Sequence, residues 1–253
     1  MIYLKSNSEI KTIKENGAIL AEVFETLADF IKPGLTTKDI DKVAENIIYS
    51  RSAAASFKNY RGFPAASCVS VNEVVVHGIP SDRLLREGDI VSVDIGAFKN
   101  GFHADAARTY AVGLIADEAR RLMDVTKESF FEGIKQMVYG GRLSDISCAI
   151  QTHAERAGFG VVREMLGHGI GRSIHEEPAV PNYGPPGKGP KLRTGLCLAV
   201  EPMITAGDYK IYTLPDGWTC STRDGKLAAH YENTVALTTN GCEILTLEGQ
   251  AGA

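Results

Sequence analysis

The spacing of hydrophobic residues along the chain predicts two pairs of amphipathic helices. Apolar side chains recur every three, four and seven positions over residues 9–31. A shorter run of the same kind follows after Thr36 or Thr37, either of which can cap it. The same order of a long and a short helix recurs in the second half of the chain. A long helix is predicted over residues 117–138, and a shorter one ends at Gly158. Each half of the chain therefore opens with a long and then a short helix.

Strands are predicted after each helix pair. Residues 67–77 alternate between apolar and polar positions, and residues 89–95 form the apolar run of a buried strand. Asn100-Gly101 is a strong hairpin turn signal, so residues 102–112 are expected to return as the antiparallel partner. Residues 196–201 give a further apolar strand in the second half.

The last third of the chain mixes loops with short strands. Residues 178–190 are rich in Pro and Gly, which predicts a loop. Residues 209–247 carry Asp-Gly turns at 216–217 and 224–225 between β-rich runs. Helices and strands thus alternate in a pattern that indicates an α/β fold class.

The two halves also match one another at several positions, which indicates an internal duplication. The segment His77-Gly78-Ile79 is echoed by His168-Gly169-Ile170. Further matching pairs are Gly34 with Gly140, Ile40 with Ile146, Asp94 with Glu201, and Asp105 with Glu232. We interpret residues 9–112 and 117–247 as pseudo-repeats related by a two-fold axis. The alternative is chance agreement among common helix and strand patterns.

Two carboxylates lie on the predicted hairpin. If the turn is centred on residues 100–101, Asp94 lies opposite Ala107, and Asp105 lies two residues away on the same face. If the turn is centred on residues 99–100, Asp94 lies directly opposite Asp105. Either register brings the two carboxylates to within roughly 5–8 Å. Like charges this close on a half-buried sheet are destabilising unless a cation lies between them. The alternative is that one aspartate belongs to the turn or faces solvent.

The duplication extends this acidic pair to a set of four. It places Glu201 and Glu232 at the positions equivalent to Asp94 and Asp105, and Glu201 ends an apolar run where an unpaired carboxylate is costly. One cation cannot easily neutralise four carboxylates, whereas two divalent cations can. The pattern therefore predicts a two-metal hydrolase site.

Histidines supply the remaining candidate chemistry. His168 is flanked by glycines, which allow the backbone to approach a site closely, and we expect it to be a metal ligand. His77 and His175 lie in similar short segments and are expected to hydrogen-bond substrate or carry protons. His103 and His230 each precede a carboxylate by two residues and can support the ligands, whereas His153 lies on a helix and is expected to be solvated.

Composition and charge exclude several other classes of protein. The 253 residues are 44% hydrophobic and 23% charged, ordinary values for a soluble globular enzyme rather than a disordered or collagen-like chain. With a net charge of −4, the chain has no excess of basic residues that would indicate binding to nucleic acid or to an anionic membrane. The five cysteines are widely spaced without a CxxC pair, so we expect free thiols in a reducing compartment. The sequence contains neither a signal-peptide pattern nor a membrane span, which favours a cytoplasmic location.

An ordered set of motifs between residues 9 and 247 resembles the type I methionine aminopeptidases in their short bacterial form. The set is highly specific, although each motif alone is weak. Its members are Tyr60-Arg61-Gly62-Phe63-Pro64, Ser70-Val71-Asn72-Glu73, His77-Gly78-Ile79-Pro80, Asp94 with Asp105, Gly167-His168-Gly169-Ile170-Gly171, His175-Glu176-Glu177-Pro178, Glu201-Pro202-Met203 and Glu232-Asn233-Thr234.

The resemblance implies a fold and a metal site. The fold is the pita-bread fold, here a single catalytic domain over residues 1–253 in which helices cover an antiparallel sheet in two pseudo-symmetric halves. Asp105 and Glu232 would bridge two divalent metal ions. The five implied metal ligands are Asp94, Asp105, His168, Glu201 and Glu232. The ions would be manganese, iron or cobalt, with zinc possible.

The resemblance also implies an activity, the hydrolytic removal of N-terminal methionine from nascent proteins and peptides whose second residue is small. Glu201 would act as general base, His175 would stabilise the oxyanion and His77 would contact the scissile amide. Tyr60, Phe63, Cys68 and Trp218 match the positions that line the methionine pocket. Further expectations are a monomer in the cytoplasm and contact with the ribosome.

Three positions depart from the family pattern, and none is a ligand. Ile174 replaces a frequent aromatic residue, Val76 a frequent Cys or Thr, and His230 a common Gln. The rival functions are a prolidase or aminopeptidase P, which usually carry an extra N-terminal domain, a metal-free hydrolase of the creatinase kind, and a pita-bread binding protein without catalysis. Retention of all five ligand positions argues against the last two.

Overall fold

The helices lie where the hydrophobic spacing predicts them. The structure is a computed structural model that describes residues 1–247 and 249; positions 248 and 250–253 of the predicted domain lie outside the described residues. The side chain of Thr36 accepts from the backbone N–H of Asp39, which identifies Thr36 rather than Thr37 as the cap of the second helix. The helices are α1 (Asn7–Phe30), α2 (Thr37–Ser50), α3 (Asp117–Ile134) and α4 (Leu143–Arg156).

One predicted helix boundary was wrong. The long helix of the second half ends at Ile134 rather than at residue 138. Beyond it, the Gln136 N–H bonds to the carbonyl of Gly133, three residues back, which tightens the chain out of α-helical geometry.

Strands fill the remainder of both halves. They are β1 (Ala54–Ala55), β2 (Ser67–Val71), β3 (Val74–Val76), β4 (Ile90–Lys99), β5 (Phe102–Ala111), β6 (Gly160–Val161), β7 (Gly167–Gly169), β8 (Glu176–Val180), β9 (Cys197–Val200), β10 (Met203–Thr205), β11 (Ile211–Thr213), β12 (Cys220–Thr222), β13 (Ala228–His230), β14 (Glu232–Thr238) and β15 (Gly241–Ile244). Strand β8 extends into the predicted loop 178–190, because Val180 pairs with Gly167 of β7. The Asp-Gly turns are confirmed, with positive φ at Gly217 and Gly225.

A nine-stranded antiparallel sheet forms the centre of the molecule, in the order β1-β4-β5-β14-β9-β7-β8. Strand β2 pairs with β4, and β15 pairs with β14. Helices α1 and α2 share one hydrophobic core with β2, β4 and β5, while α3 and α4 share another with β9 and β14. Two three-stranded sheets, β13-β10-β6 and β11-β12-β3, complete the fold. Helix pairs therefore cover an antiparallel sheet, as predicted.

The β4–β5 hairpin has the first of the two predicted registers. Asn100 and Gly101 occupy the centre of the turn with positive φ angles of 54° and 81°. Lys99 pairs with Phe102, so Asp94 lies opposite Ala107 rather than opposite Asp105. The pleat then directs Asp94 and Asp105 to the same face of the sheet.

The two halves meet where β5 lies beside β14. Glu232 pairs with Ala107 and Asn233 with Ala106, while Asn233 also pairs with Val200 of β9 on its other side. This register brings Asp105 and Glu232 next to each other at the centre of the sheet. The pseudo-repeat bounds, residues 9–112 and 117–247, stay a prediction.

All five cysteines are free, as predicted, with Cys68, Cys197 and Cys220 buried. Across the residues that the structure describes, no helix is long and apolar enough to span a membrane.

Close packing at Gly17 yields the first testable prediction. A Cβ atom at Gly17 would lie 1.9 Å from the carbonyl oxygen of Leu245, which is backbone and cannot move aside easily. Alanine favours a helix over glycine by about 1 kcal/mol, yet we expect Gly17→Ala to lower the free energy of unfolding by about 1–3 kcal/mol because overpacking outweighs propensity. Urea unfolding measures the change. The exposed Glu15→Ala on the same helix is the control, and equal stability of both variants would contradict the packing argument.

Candidate metal and substrate site

Five predicted metal ligands converge from different strands onto one face of the sheet. Asp94 lies on β4, Asp105 on β5 and Glu232 at the start of β14, which are adjacent strands. His168 lies on β7, and Glu201 directly follows β9. Asp105, Glu232 and His168 are all buried. The antiparallel register thus assembles an acidic cluster around one imidazole.

His168 lies too far from two neighbouring carboxylates for hydrogen bonds, at a spacing that suits ligands that share an ion. His168 Nε2 lies 3.7 Å from Asp105 Oδ2 and 3.6 Å from Glu201 Oε1. His168 Nδ1 lies 2.9 Å from the carbonyl oxygen of Gly169, to which it donates in the neutral ring. That bond leaves the Nε2 lone pair directed at the carboxylates, which is the orientation of a metal-binding histidine.

Burial dominates the electrostatics of the cluster. It raises the pKa of Asp94 to about 7 and, together with the charges of neighbouring carboxylates, raises the pKa values of Asp105 and Glu232 well above their usual range. Burial likewise raises the pKa of Glu201, and Asp94 adds to it. It lowers the pKa of His168 to about 3, so this ring is neutral. A divalent cation between these carboxylates would lower their pKa values and keep them ionised.

Unpartnered buried atoms test whether a metal fits here. Asp94 Oδ1, Asp105 Oδ1 and Glu232 Oε1 are buried without a hydrogen-bond partner. Two groups of three donors lie within metal-binding distance of one another, namely Asp105 with His168 and Glu232, and Glu201 with His230 and Glu232. Carboxylate oxygens with imidazole suit divalent transition metals. The residues present therefore fit divalent cations.

A cavity of about 180 Å³ opens onto this cluster and contains every predicted site residue. Phe57 and Arg61 also line it, and neither was predicted. The predicted residues on its wall are Tyr60, Phe63, Cys68, His77, Asp94, Asp105, His168, His175, Glu201, Trp218 and Glu232. A larger cavity of about 330 Å³ lies between α1 and α3 and is lined by none of these eleven residues.

The apolar part of the cavity wall lies beside the carboxylates. The Phe63 and Trp218 rings meet edge to face with their centroids 5.2 Å apart. Cys68 packs in the same cluster, and burial raises its pKa well above the usual range, so it remains a thiol. The cavity thus joins an aromatic slot to the acidic cluster.

Two histidines reach the cavity from loops. His77 adopts a left-handed backbone conformation with φ of 59°, and burial lowers its pKa. His175 lies at the rim, where packing lowers its pKa to about 4, with smaller contributions from the charges of Arg61 and His77. His175 Nδ1 lies 2.9 Å from the Tyr60 hydroxyl oxygen, and its ring centroid is 4.3 Å from that of His168.

The other histidines divide between the site and the periphery. His230 Nε2 lies 3.7 Å from Glu201 Oε2, beside the proposed ligands, and its supporting role stays a prediction. His103 Nδ1 instead lies 2.9 Å from Ser56 Oγ. His153 was expected to be solvated, yet its Nε2 lies 2.9 Å from Glu128 Oε2 and its side chain is 20% exposed.

Sequence reasoning missed the ion pair that holds the His175 loop. Lys5 Nζ lies 2.6 Å from Glu176 Oε2, and both side chains are at most one-tenth exposed. The other oxygen of Glu176 accepts from the Ser173 N–H, and the Lys5 N–H donates to the Gly195 carbonyl. Glu176 belongs to a recognisable motif, but the pattern around Lys5 carries no signal for this contact.

The fold and the cluster of potential metal ligands are those of a metallopeptidase. Residues 11–239 match the model of metallopeptidase family M24, and the chain belongs to this family. A curated relative from Clostridium acetobutylicum, named methionine aminopeptidase, is 54% identical, covering 98% of this chain and 99% of its own. The crystal structure of methionine aminopeptidase from Thermotoga maritima is 44% identical with a TM-score of 0.96, covering 98% of this chain and all of that one.

More distant structures are similar to this chain in fold. Prolidase from Pyrococcus furiosus is 21% identical with a TM-score of 0.78, and the match covers 98% of this chain but 66% of that one. The predicted fold class, an α/β pita-bread fold, is confirmed, as is the resemblance on which it depended.

A bound cation should stabilise the folded protein, because it relieves the repulsion within the acidic cluster. At a hundredfold excess over Kd, binding contributes about 2.7 kcal/mol. At this chain length that raises Tm by about 5–10 °C. Differential scanning fluorimetry of chelator-stripped protein with added Mn²⁺ or Co²⁺ measures the shift. Asp105→Asn should show a smaller shift, and an unchanged Tm in the wild type would contradict a metal at this cluster.

Proposed function

We propose that this metallopeptidase removes the N-terminal methionine from peptides and nascent proteins whose second residue is small. One observation carries the proposal: a single cavity joins an aromatic slot to a cluster of carboxylates and neutral histidines. The slot suits an unbranched thioether side chain, and the cluster suits hydrolysis of the bond beside it. The names of the relatives described above support the same substrate.

The five residues Asp94, Asp105, His168, Glu201 and Glu232 would hold two divalent ions. The buried, unpartnered oxygens of Asp94, Asp105 and Glu232 support this role, since each otherwise lacks a partner. Manganese, iron or cobalt suits this donor set, and zinc is an alternative. The ions would supply Lewis-acid chemistry, polarising the scissile carbonyl and lowering the pKa of water.

Glu201 is the residue that we propose as general base. Its carboxylate lines the cavity, where an ionised oxygen can accept a proton from water. Asn182 donates a hydrogen bond to the Glu201 backbone carbonyl at 2.9 Å and so fixes the start of this side chain. Glu201 would take a proton from the attacking water at a carboxylate oxygen and deliver it to the leaving amine.

The two loop histidines would act on the substrate rather than on the ions. If the Tyr60 hydroxyl donates to His175 Nδ1, the proton of the neutral ring lies on Nε2, from which it can donate to the developing oxyanion. His77, whose ring lies against that of Trp218, would contact the scissile amide next to the slot. Both rings are neutral near pH 7, so they act as hydrogen-bond donors without adding charge.

The substrate class also sets expectations about partners and location. Nascent chains carry N-terminal methionine, so we propose action in the cytoplasm at or near the ribosome. We further expect a monomer, because one chain supplies every residue on the cavity wall. The rival function, a prolidase or aminopeptidase P, requires the site to accept proline at the second position.

A peptide series tests the proposed function. Metal-reconstituted protein should cleave Met-Ala-Ser. Met-Lys-Ser and Leu-Ala-Ser should be cut at least about tenfold more slowly, because the second residue of the former and the first residue of the latter do not fit the cavity. Mass spectrometry of the products measures the rates. Preferential cleavage of Ala-Pro-Ala would favour the rival function, and no cleavage of any peptide would favour a binding protein.

Tyr60→Phe tests the role of His175 with little change of shape. Loss of the hydroxyl frees Nδ1, so the proton is no longer held on Nε2, and we expect kcat to fall about tenfold. KM and metal content should change little, because the ring stays in the cavity wall. Steady-state kinetics and metal analysis give these values, and a changed KM with constant kcat would indicate that Tyr60 serves binding alone.

A further inference from the structure

One charged side chain on the cavity wall has no part in the proposed mechanism. Arg61 lines the cavity that contains the acidic cluster, although it is neither a proposed metal ligand nor part of the aromatic slot. Among the described residues on this wall, Arg61 and His175 are exposed, and the others are buried or half-buried. These two side chains therefore form the rim through which a peptide reaches the site.

A tight turn of the backbone holds Arg61 at the rim. The Asn59 N–H donates to the Phe63 carbonyl at 2.8 Å, and the Phe63 N–H donates to the Tyr60 carbonyl at 3.0 Å. Within this turn, Arg61 has a left-handed conformation with φ of 50° and ψ of 24°. Residues other than glycine rarely adopt this conformation by themselves, so the turn fixes the direction in which the Arg61 side chain leaves the backbone.

The Tyr60 ring contacts both residues of the rim. The Arg61 Cζ atom lies 5.4 Å from the centroid of the Tyr60 ring, and the centroid of the His175 ring lies 5.2 Å from the same point. Burial is the largest cause that lowers the pKa of His175, and the charge of Arg61 is the next largest. The guanidinium is therefore close enough to the rim histidine to act on charges beside it.

Arg61 supplies the unbalanced charge of the cavity wall. Two divalent ions would balance the four carboxylates of the acidic cluster, and the histidines on this wall are neutral. On the His175 loop, Glu176 is paired with Lys5 at 2.6 Å, and Glu177 is not among the residues that line the cavity. A peptide that leaves the cavity past the rim therefore meets a positive charge.

We infer that Arg61 selects substrates by charge, favouring an acidic side chain at the third residue and disfavouring a basic one. This inference rests on the proposed function, in which His175 binds the oxyanion of the scissile bond. An extended chain advances at most about 3.3–3.6 Å for each residue, so the third residue lies one or two such steps beyond that bond, at the rim beside His175. A carboxylate there can accept hydrogen bonds from the guanidinium.

Peptides that differ in the third residue test this preference. The pair is Met-Ala-Asp-Gly and Met-Ala-Lys-Gly, each with a C-terminal amide so that the terminal carboxylate does not contribute, and Met-Ala-Ser-Gly amide is the neutral reference. For metal-loaded wild type at low salt, we expect kcat/KM to be about threefold to tenfold higher for the Asp peptide than for the Lys peptide. Arg61→Gln should bring this ratio to about one, and Arg61→Glu should reverse it. Added salt at about 1 M should weaken the preference, because the Debye length falls to about 3 Å.

Lys58→Gln is the matched control. Lys58 precedes the same turn and pairs with Glu45, but it does not line the cavity. Its substitution changes the net charge by the same amount as Arg61→Gln, so it should keep the ratio of the wild type. An equal loss of preference in both variants would assign the effect to the overall charge of the protein and overturn the role of Arg61.

Fluorescence of Trp218 gives a second readout that does not depend on turnover, because Trp218 is the single tryptophan of the chain and lines the cavity. Ketomethylene analogues of the Asp and Lys peptides, in which CH2 replaces the scissile N–H, cannot be hydrolysed. The Asp analogue should bind the wild type more tightly by a similar factor, and Arg61→Glu should reverse the order.

The outcomes separate this inference from the proposed function. Equal rates and equal affinities for the Asp and Lys peptides in the wild type, with Met-Ala-Ser-Gly still cleaved, would overturn the role of Arg61 and leave the proposed function intact. Absence of cleavage of all three peptides would overturn the proposed function, and with it the substrate role of Arg61.

Discussion

Mutual repulsion among four buried carboxylates is the constraint on which the rest of the site depends. Asp94, Asp105, Glu201 and Glu232 come from separate strands, and burial raises the pKa of each. Such groups would move apart toward water if their strands could slip. The sheet prevents this, because the register of β4, β5, β14 and β9 fixes where each carboxylate begins.

Side chains reinforce the backbone at the point of greatest repulsion. The Thr234 hydroxyl accepts from the Asp105 N–H and donates to the Asp105 carbonyl, both at 2.9 Å. Arg108 donates to the Glu232 carbonyl at 2.6 Å and to Asn233 Oδ1 at 2.8 Å. The backbone of both central carboxylates is therefore held from two sides. A site that attracts cations strongly requires a scaffold stiff enough to keep it assembled without them.

Much of the fold and of the site could be predicted from local sequence patterns, because interactions between residues close in sequence determine these features. The Asn100-Gly101 turn sets the hairpin register, and that register places Asp94 and Asp105 on one face of the sheet. The bond between Tyr60 and His175 could not be predicted, since it depends on how two segments far apart in sequence pack against each other. The extension of β8 to Val180 was missed for the same reason: its pairing with β7 outweighs the loop composition around it.

The three residues that depart from the family pattern have different surroundings in the structure, so they have different consequences for the site. Val76 and Ile174 are buried in hydrophobic clusters and do not line the cavity, so they alter packing behind its wall. His230 instead faces Glu201 and Glu232. Sequence comparison treats these positions alike, whereas the structure separates two core residues from one within the acidic cluster.

The burial of Lys5 has a practical consequence for handling the protein. Residues near the start of a chain are commonly treated as a free place for purification tags, but here the fifth side chain lies beneath the loop that carries His175. Trimming past Lys5 would remove the Lys5–Glu176 ion pair. Activity lost through this change would resemble damage to a catalytic residue, although its origin would lie in how the protein was prepared.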